Sequence, residues 1–266
     1  MHEILDLDRF PLDRLETPAG RALVARCRAE LAAEGLFNLE GLVRPEALAR
    51  AVAELEPLFD RVAFRHARDH NIYFKPPGSA GIEGLAPDHP ALKPHRSANH
   101  TLCADQIPES LVLRIYEWPP LRAFLAQVLD KPALHLMADP LARANVMRYR
   151  AGEALNWHFD RSEFTVTLLL RPPTGGGLFQ YRSDLRSESD PNYAGVARLL
   201  AGGDPALKTL PLAAGTLNVF KGKHTAHRVT PAEGAVPRLV AVLSYYERPG
   251  VGFSEQERLG FYGRAG

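Results

Sequence analysis

Two rhythms of apolar residues divide this chain. Over residues 19–35, Leu23, Val24, Cys27 and Leu31 recur at the spacing that keeps side chains on one face of a helix, and Gly35 stands where such a helix would stop. A second helix is expected from the Arg44-Pro45 step, because proline suits a first turn; it carries Leu48, Val52 and Leu55 and is expected to end before Pro57. A third is expected over 107–129, broken or kinked at Pro119-Pro120. From Asn145 onward the rhythm shortens. Segments 145–150, 164–170, 178–181, 216–220, 227–230 and 238–246 have strand length, are rich in strand-forming residues and are bounded by glycine or proline. Residues 193–201 interrupt this series with a short helical pattern through Val196, Leu199 and Leu200. Residues 75–97 are crowded with Pro, Gly and His and are expected to be irregular, and long loops of this kind are often functional.

The pattern predicts an α+β fold: a mainly helical layer with loops over 1–135, a β core over 136–248 and a tail over 249–266, in one domain spanning 1–266. Regularly spaced short strands indicate a sandwich or barrel. At 266 residues the chain can bury a large core. Lys and Arg number 32 against 31 Asp and Glu, so no nucleic-acid footprint or membrane-surface patch is expected and partners should be small molecules. Residues 1–10 lack the basic start and apolar stretch of a secretory signal, which predicts a cytoplasmic protein. No apolar run approaches the roughly 20 residues that span a bilayer. Cys27 and Cys103 sit far apart, with no second cysteine or histidine at metal-ligand spacing, and are expected to be buried thiols.

His158 and Asp160 are two residues apart, so in an extended segment both side chains leave the same face and could reach one ion. A second imidazole from a distant strand would complete a two-histidine, one-carboxylate set, which leaves three positions of an octahedral iron(II) open for dioxygen and a bidentate cosubstrate. His224 and His227 both qualify by position, but their odd spacing lets a strand point only one inward. His227 is chosen because it opens the 227–230 strand, whereas His224 falls in the preceding turn. Arg238 begins the next apolar strand, where a charge is costly without a partner; its planar guanidinium suits the distal carboxylate of 2-oxoglutarate.

In content and order, Val146-Met147-Arg148-Tyr149, Ala151-Gly152, His158-Phe159-Asp160, Gly215-Thr216-Leu217, His227-Arg228-Val229-Thr230-Pro231 and Arg238 resemble the Fe(II)/2-oxoglutarate dioxygenase superfamily. Trp157-His158-Phe159-Asp160, the run from Glu163 to Leu170 and the tail Phe261-Tyr262-Gly263-Arg264 look like the branch of free-amino-acid halogenases and lysine hydroxylases. The likeness is clearest over 137–264. It implies a double-stranded β-helix (jelly-roll) core, and it implies Fe(II), 2-oxoglutarate as cosubstrate and O2. It further implies that His158, Asp160 and His227 bind the iron, that Arg238 binds the cosubstrate's distal carboxylate, and that Tyr149 and Thr167 help hold that cosubstrate. Halogenases of the branch have a small residue where Asp160 stands, so the resemblance implies hydroxylation, with an amino acid or amino-acid derivative as substrate. Lysine-directed members carry polar residues where this chain has Ala154-Leu155-Asn156, which argues against lysine.

Other readings stay open on sequence alone. A cupin-like metal isomerase or cosubstrate-independent dioxygenase would add a ligand such as Glu163, although its odd spacing from Asp160 points it away. A catalytically silent β-sandwich binding module needs no metal at all. Candidate lid residues are His66, His70, Asn71, Tyr73, His95 and Arg96, and Arg161, Arg171 and Arg182 would suit an anionic substrate.

Overall fold

The computed structural model describes residues 1–80 and 82–266; Gly81, inside the stretch expected to be irregular, lies outside the described residues. A seven-stranded antiparallel sheet takes its strands in the spatial order Leu36–Leu39, Leu217–Phe220, Thr165–Arg171, Arg238–Leu243, Ala144–Tyr149, His95–Leu102 and Phe64–His70. A second, four-stranded sheet has the order Lys208–Leu210, Phe179–Arg182, Ala226–Val229 and Leu155–His158. Leu36 and Phe220 of the large sheet pack with Phe179, Tyr181 and Val229 of the small one, closing the two sheets into a jelly roll.

The two-residue period of each strand sorts its side chains between two environments. Val166, Leu168, Leu217, Val219, Leu239 and Ala241 face one way and join the main core beneath four helices, Pro18–Glu34, Pro45–Arg61, Leu111–Glu117 and Pro119–Val128. The alternate positions face the interior between the sheets. By register these include Arg68, Ser97, Asn145, Thr167, Asn218 and Arg238, a polar set.

Local chemistry fixes the helix ends. The Thr17 hydroxyl accepts from the Gly20 amide to start the first helix, and Gly35, at φ 77°, closes it in the left-handed region. The third helical stretch splits as expected: Trp118 separates its halves and Pro119 opens the second. The short inserted helix forms at Tyr193–Leu200. The second helix runs on through Pro57 to Arg61, a correction to its expected end. Pro57 costs a hydrogen bond, but Leu55 and Phe59 on either side are buried in the core and hold the last turn in place.

The layer expected over 1–135 also supplies three strands of the large sheet. Phe64–His70 shows no apolar alternation, because beyond Phe64 its inward positions are His66, Arg68 and His70. The expected tail contains a helix, Glu255–Tyr262, started by a reciprocal cap between Ser254 and Glu257. Cys27 and Cys103 are buried free thiols. No helix among the described residues is long and apolar enough to cross a membrane.

Candidate active site

His158 ends the Leu155–His158 strand, and His227 sits directly opposite it in the neighbouring antiparallel strand, so the backbone register alone brings the imidazoles together. Their ring centroids are 4.1 Å apart. Asp160 lies just beyond the strand rather than within it. Its amide donates to the Gly222 carbonyl at 3.0 Å, which turns the carboxylate back toward the two rings. One donor atom from each of His158, Asp160 and His227 lies within 4.8 Å of the others. Asp160 Oδ1 is 3.3 Å from His158 Nε2, and Oδ2 is 3.5 Å from His227 Nε2.

The chemistry of these donors fits a divalent metal. His158 Nδ1 lies 2.8 Å from the Asn156 carbonyl and His227 Nδ1 lies 3.0 Å from the Thr225 carbonyl. A carbonyl only accepts, so both Nδ1 atoms carry the proton and both Nε2 lone pairs face the shared space. Burial, together with the neighbouring His227 ring, pushes His158 toward its neutral form. Burial opposes the charge on Asp160, yet the His227 and His158 imidazoles outweigh it and hold the carboxyl well below its ordinary range.

Thr165 was not anticipated. Its hydroxyl donates to Asp160 Oδ2 at 2.5 Å, fixing the carboxylate's rotation. Gly222 completes the fit, since a Cβ there would come within 2.8 Å of both Asp160 Cβ and Thr165 Oγ1.

Arg238 lies on the inner face of the seven-stranded sheet, 4% exposed, with its Nε lacking any hydrogen-bond partner. Among the described residues no carboxylate pairs with it. Desolvation lowers its pKa to about 10, with Tyr149 acting weakly the other way. A guanidinium buried this deeply stays charged at neutral pH and is costly unless an anion joins it. Tyr149 sits opposite it in register, its ring centroid 5.7 Å from the guanidinium carbon, and donates only a weak bond to the Met147 sulfur at 3.5 Å. Thr167 lies on the same face but in register with Val242 and Asn145, four residues along the strands from Arg238 and Tyr149, and its hydroxyl donates to the Asn218 carbonyl at 3.4 Å.

Other candidates separate from this group. His224 sits in the turn before the Ala226–Val229 strand, with Nε2 3.5 Å from Glu188. Glu163 pairs with Lys131 at 3.0 Å, outside the three-residue cluster, so the cupin-like fourth ligand has no counterpart there. Arg161, Arg171 and Arg182 are each paired, with Glu257, Glu56 and Asp204 respectively. Of the lid candidates, His70 has its ring 6.5 Å from that of His158. Its Nε2 lies 2.6 Å from the Ser97 hydroxyl. Tyr73 instead stacks on Phe159, and Arg96 pairs with Asp69 in solvent. The Arg68–Phe74–Phe261 group, at the edge of the site, was missed, because Phe64–His70 carries no alternation that would mark a strand.

Fold and triad together have the form of a jelly-roll oxygenase with a two-histidine, one-carboxylate metal site. A family model described as halogenase D matches residues 94–251, more than half of the chain, and the chain belongs to that family. No curated protein sequence matches it. Solved structures do. An oxidoreductase of the 2OG-Fe(II) oxygenase family from Burkholderia pseudomallei is similar at TM-score 0.51 and 16% identity, over 86% of this chain and 92% of that one. HygX from Streptomyces hygroscopicus, with nickel and 2-oxoglutarate bound, gives 0.53 and 15%, over 86% and 87%. The epimerase SnoN, in complex with Fe3+, alpha ketoglutarate and nogalamycin RO, gives 0.55 and 15%, over 88% and 93%. At these identities the likeness is one of fold.

Proposed function

We propose that this enzyme hydroxylates an unactivated C–H bond of a small molecule, an amino acid or amino-acid derivative. In this reading iron(II) is held by His158, Asp160 and His227, and the distal carboxylate of 2-oxoglutarate is held by Arg238 with Tyr149 beside it, while Thr167, farther along the same face, helps hold the cosubstrate. The observation that carries the reading is that the two sheets turn ligand-binding groups into the interior between them: three convergent donor atoms at the four-stranded sheet and, on the seven-stranded sheet, a buried guanidinium that pairs with no carboxylate among the described residues. When bound, the iron supplies dioxygen activation, in which 2-oxoglutarate becomes succinate and carbon dioxide while substrate C–H becomes C–OH.

The chain's own residues prepare for this. The Asn156 and Thr225 carbonyls select the tautomers that free both Nε2 atoms. Thr165 and Gly222 orient the carboxylate, and Arg238 neutralises and aligns the cosubstrate's far end. Leu169 and Val240, buried with Tyr149, make that part of the pocket apolar, which strengthens a guanidinium–carboxylate contact by excluding water. Within a family described as halogenases, the carboxylate of Asp160 supports hydroxylation, because it occupies the place that halide would need at the metal.

The test is iron-dependent conversion of 2-oxoglutarate to succinate by the purified protein, followed by a screen of amino acids for stimulation of that conversion and for a product heavier by one oxygen atom. Absence of succinate with iron and 2-oxoglutarate present would end this reading.

A further inference from the structure

A second guanidinium without an anion stands at the edge of the site. Arg68 lies on the inner face of the Phe64–His70 strand, opposite Ser97. Its guanidinium carbon is 4.4 Å from the centroid of the Phe74 ring and 5.3 Å from that of Phe261. The Phe74 ring lies 5.3 Å from the His158 ring, so one aromatic side chain touches both the triad and Arg68. Arg68 Nε is buried and unpartnered, and among the described residues no carboxylate pairs with this side chain. The nearby charge is the wrong sign: Arg161 lies over the same Phe261 ring at 5.8 Å, and its own partner is Glu257. Partial burial beside a like charge is unfavourable unless an anion arrives.

Phe74 is held in place at a cost. Its φ of 54° is in the left-handed region, which a bulky side chain adopts only when its surroundings enforce it. Asn71 provides that constraint. Its Oδ1 accepts from the Tyr73 and Lys75 amides at 3.1 and 3.3 Å, and its Nδ2 donates to the Lys75 carbonyl at 2.6 Å. The ring is thereby fixed as a shelf between the triad and the free guanidinium.

Among the described residues that continue the inner wall from Arg68, none carries a negative charge. By register, Ser97, Asn99, Thr101, Asn145 and Met147 continue the surface from Arg68. The carboxylates near its margins are already engaged: Asp139 accepts from Arg258 at 2.7 Å, and Glu153 lies 3.4 Å from His100. A cationic side chain of a substrate would find no partner here.

We propose that Arg68 receives the carboxylate of the substrate, and that the substrate's remaining side chain is neutral or acidic rather than basic. The inference rests on the oxygenase reading and names the class of acid that site accepts. Phe74 and Phe261 flank the guanidinium and limit its rotation, so its planar fork is presented ready to grip a carboxylate with two hydrogen bonds.

The experiment is calorimetric titration of nickel-loaded protein, saturated with 2-oxoglutarate and held anaerobic, with L-leucine, L-glutamate, L-lysine, L-leucinamide and inorganic phosphate. We expect leucine or glutamate to bind at least tenfold more tightly than leucinamide and lysine. Arg68→Gln should weaken that binding tenfold or more, Arg68→Lys should recover part of it, and neither should move the 2-oxoglutarate affinity more than about twofold, since that anion is held by Arg238. Equal binding of acid and amide, unchanged affinity in Arg68→Gln, tightest binding by lysine or phosphate, or no binding by any acid would each overturn the proposal. Failure of 2-oxoglutarate itself to bind the wild-type protein would instead strike the oxygenase reading on which it rests.

Discussion

Arg148 and Arg238 occupy adjoining strands of the large sheet and are almost equally buried, at 3% and 4% exposure, yet they face opposite ways. Arg148 points to the helical side. It donates to Asp60 at 2.7 Å, and its guanidinium carbon lies 4.8 Å over the Phe59 ring, both partners coming from the Pro45–Arg61 helix. Arg238 points to the interior between the sheets and meets no carboxylate among the described residues. The guanidinium on the helical face thus has its anion when the chain folds, although its Nε, like that of Arg238, has no hydrogen-bond partner. The inner face is folded but chemically open, and its unpaired groups map where ligands belong.

The largest effect that would test this contrast is at the triad. Asp160→Gly should reduce iron-dependent succinate formation to background while leaving the far-UV circular dichroism of the protein unchanged, because no element depends on that side chain. Persistence of wild-type turnover would show that the three donors do not act as one site.

Next in size is Arg238→Met. It should cost about 2–5 kcal/mol of 2-oxoglutarate binding, the usual effect of removing one member of a buried charge pair. Without cosubstrate, the unfolding midpoint of the variant should equal or exceed that of wild type, since an uncompensated buried charge has been removed. Arg148→Met should do the reverse, leaving 2-oxoglutarate affinity intact. Thermal melts with and without 2-oxoglutarate separate the two, and a destabilised Arg238→Met would erase the distinction between the faces.

A smaller effect is expected at Thr165. Thr165→Val keeps the shape but removes the hydrogen bond to Asp160, and should weaken metal binding about 10- to 100-fold. Thr165→Ser should restore most of it. Titration of the metal-free protein with nickel, read by calorimetry, measures this directly, and equal affinities for valine and threonine would reduce Thr165 to a packing residue.

The helical face was largely legible in the sequence, and the inner face only in part. Leu23, Val24, Cys27 and Leu31 announce a helix by their spacing, and Val166, Leu168 and Leu170 announce a strand, because burial against an apolar core leaves a periodic trace. His158, Asp160, His227 and Arg238 stood out as charge and imidazole amid apolar strands. Phe64–His70 and His95–Leu102 left no such trace: apart from Phe64 their inner positions are polar, so the alternation that marks a strand is missing. Thr165 and Gly222 could not be picked out either. A threonine in a strand and a glycine in a turn have ordinary reasons to be there, and only the fold shows that both close on one carboxylate.

The smallest expected effect concerns His66, on the same open face. Desolvation, then the neighbouring Arg68 charge, lower its pKa from the ordinary 6.5 to about 4, and its Nε2 has no partner. The folded chain therefore keeps this ring neutral where the unfolded chain protonates it. Above pH 6.5 both states are neutral and the contribution to stability is complete; as the pH falls toward and through about 4 it is lost, because the unfolded state binds the extra proton first. His66→Phe retains a ring against Phe261, which the histidine now meets at 6.2 Å, and removes the titration. Denaturant unfolding at pH 7.0, 5.5 and 4.5 should show wild type losing stability faster than the variant across that window. Parallel losses would mean that His66 is already paired or solvated, and that the inner face is less open at this strand than at Arg238.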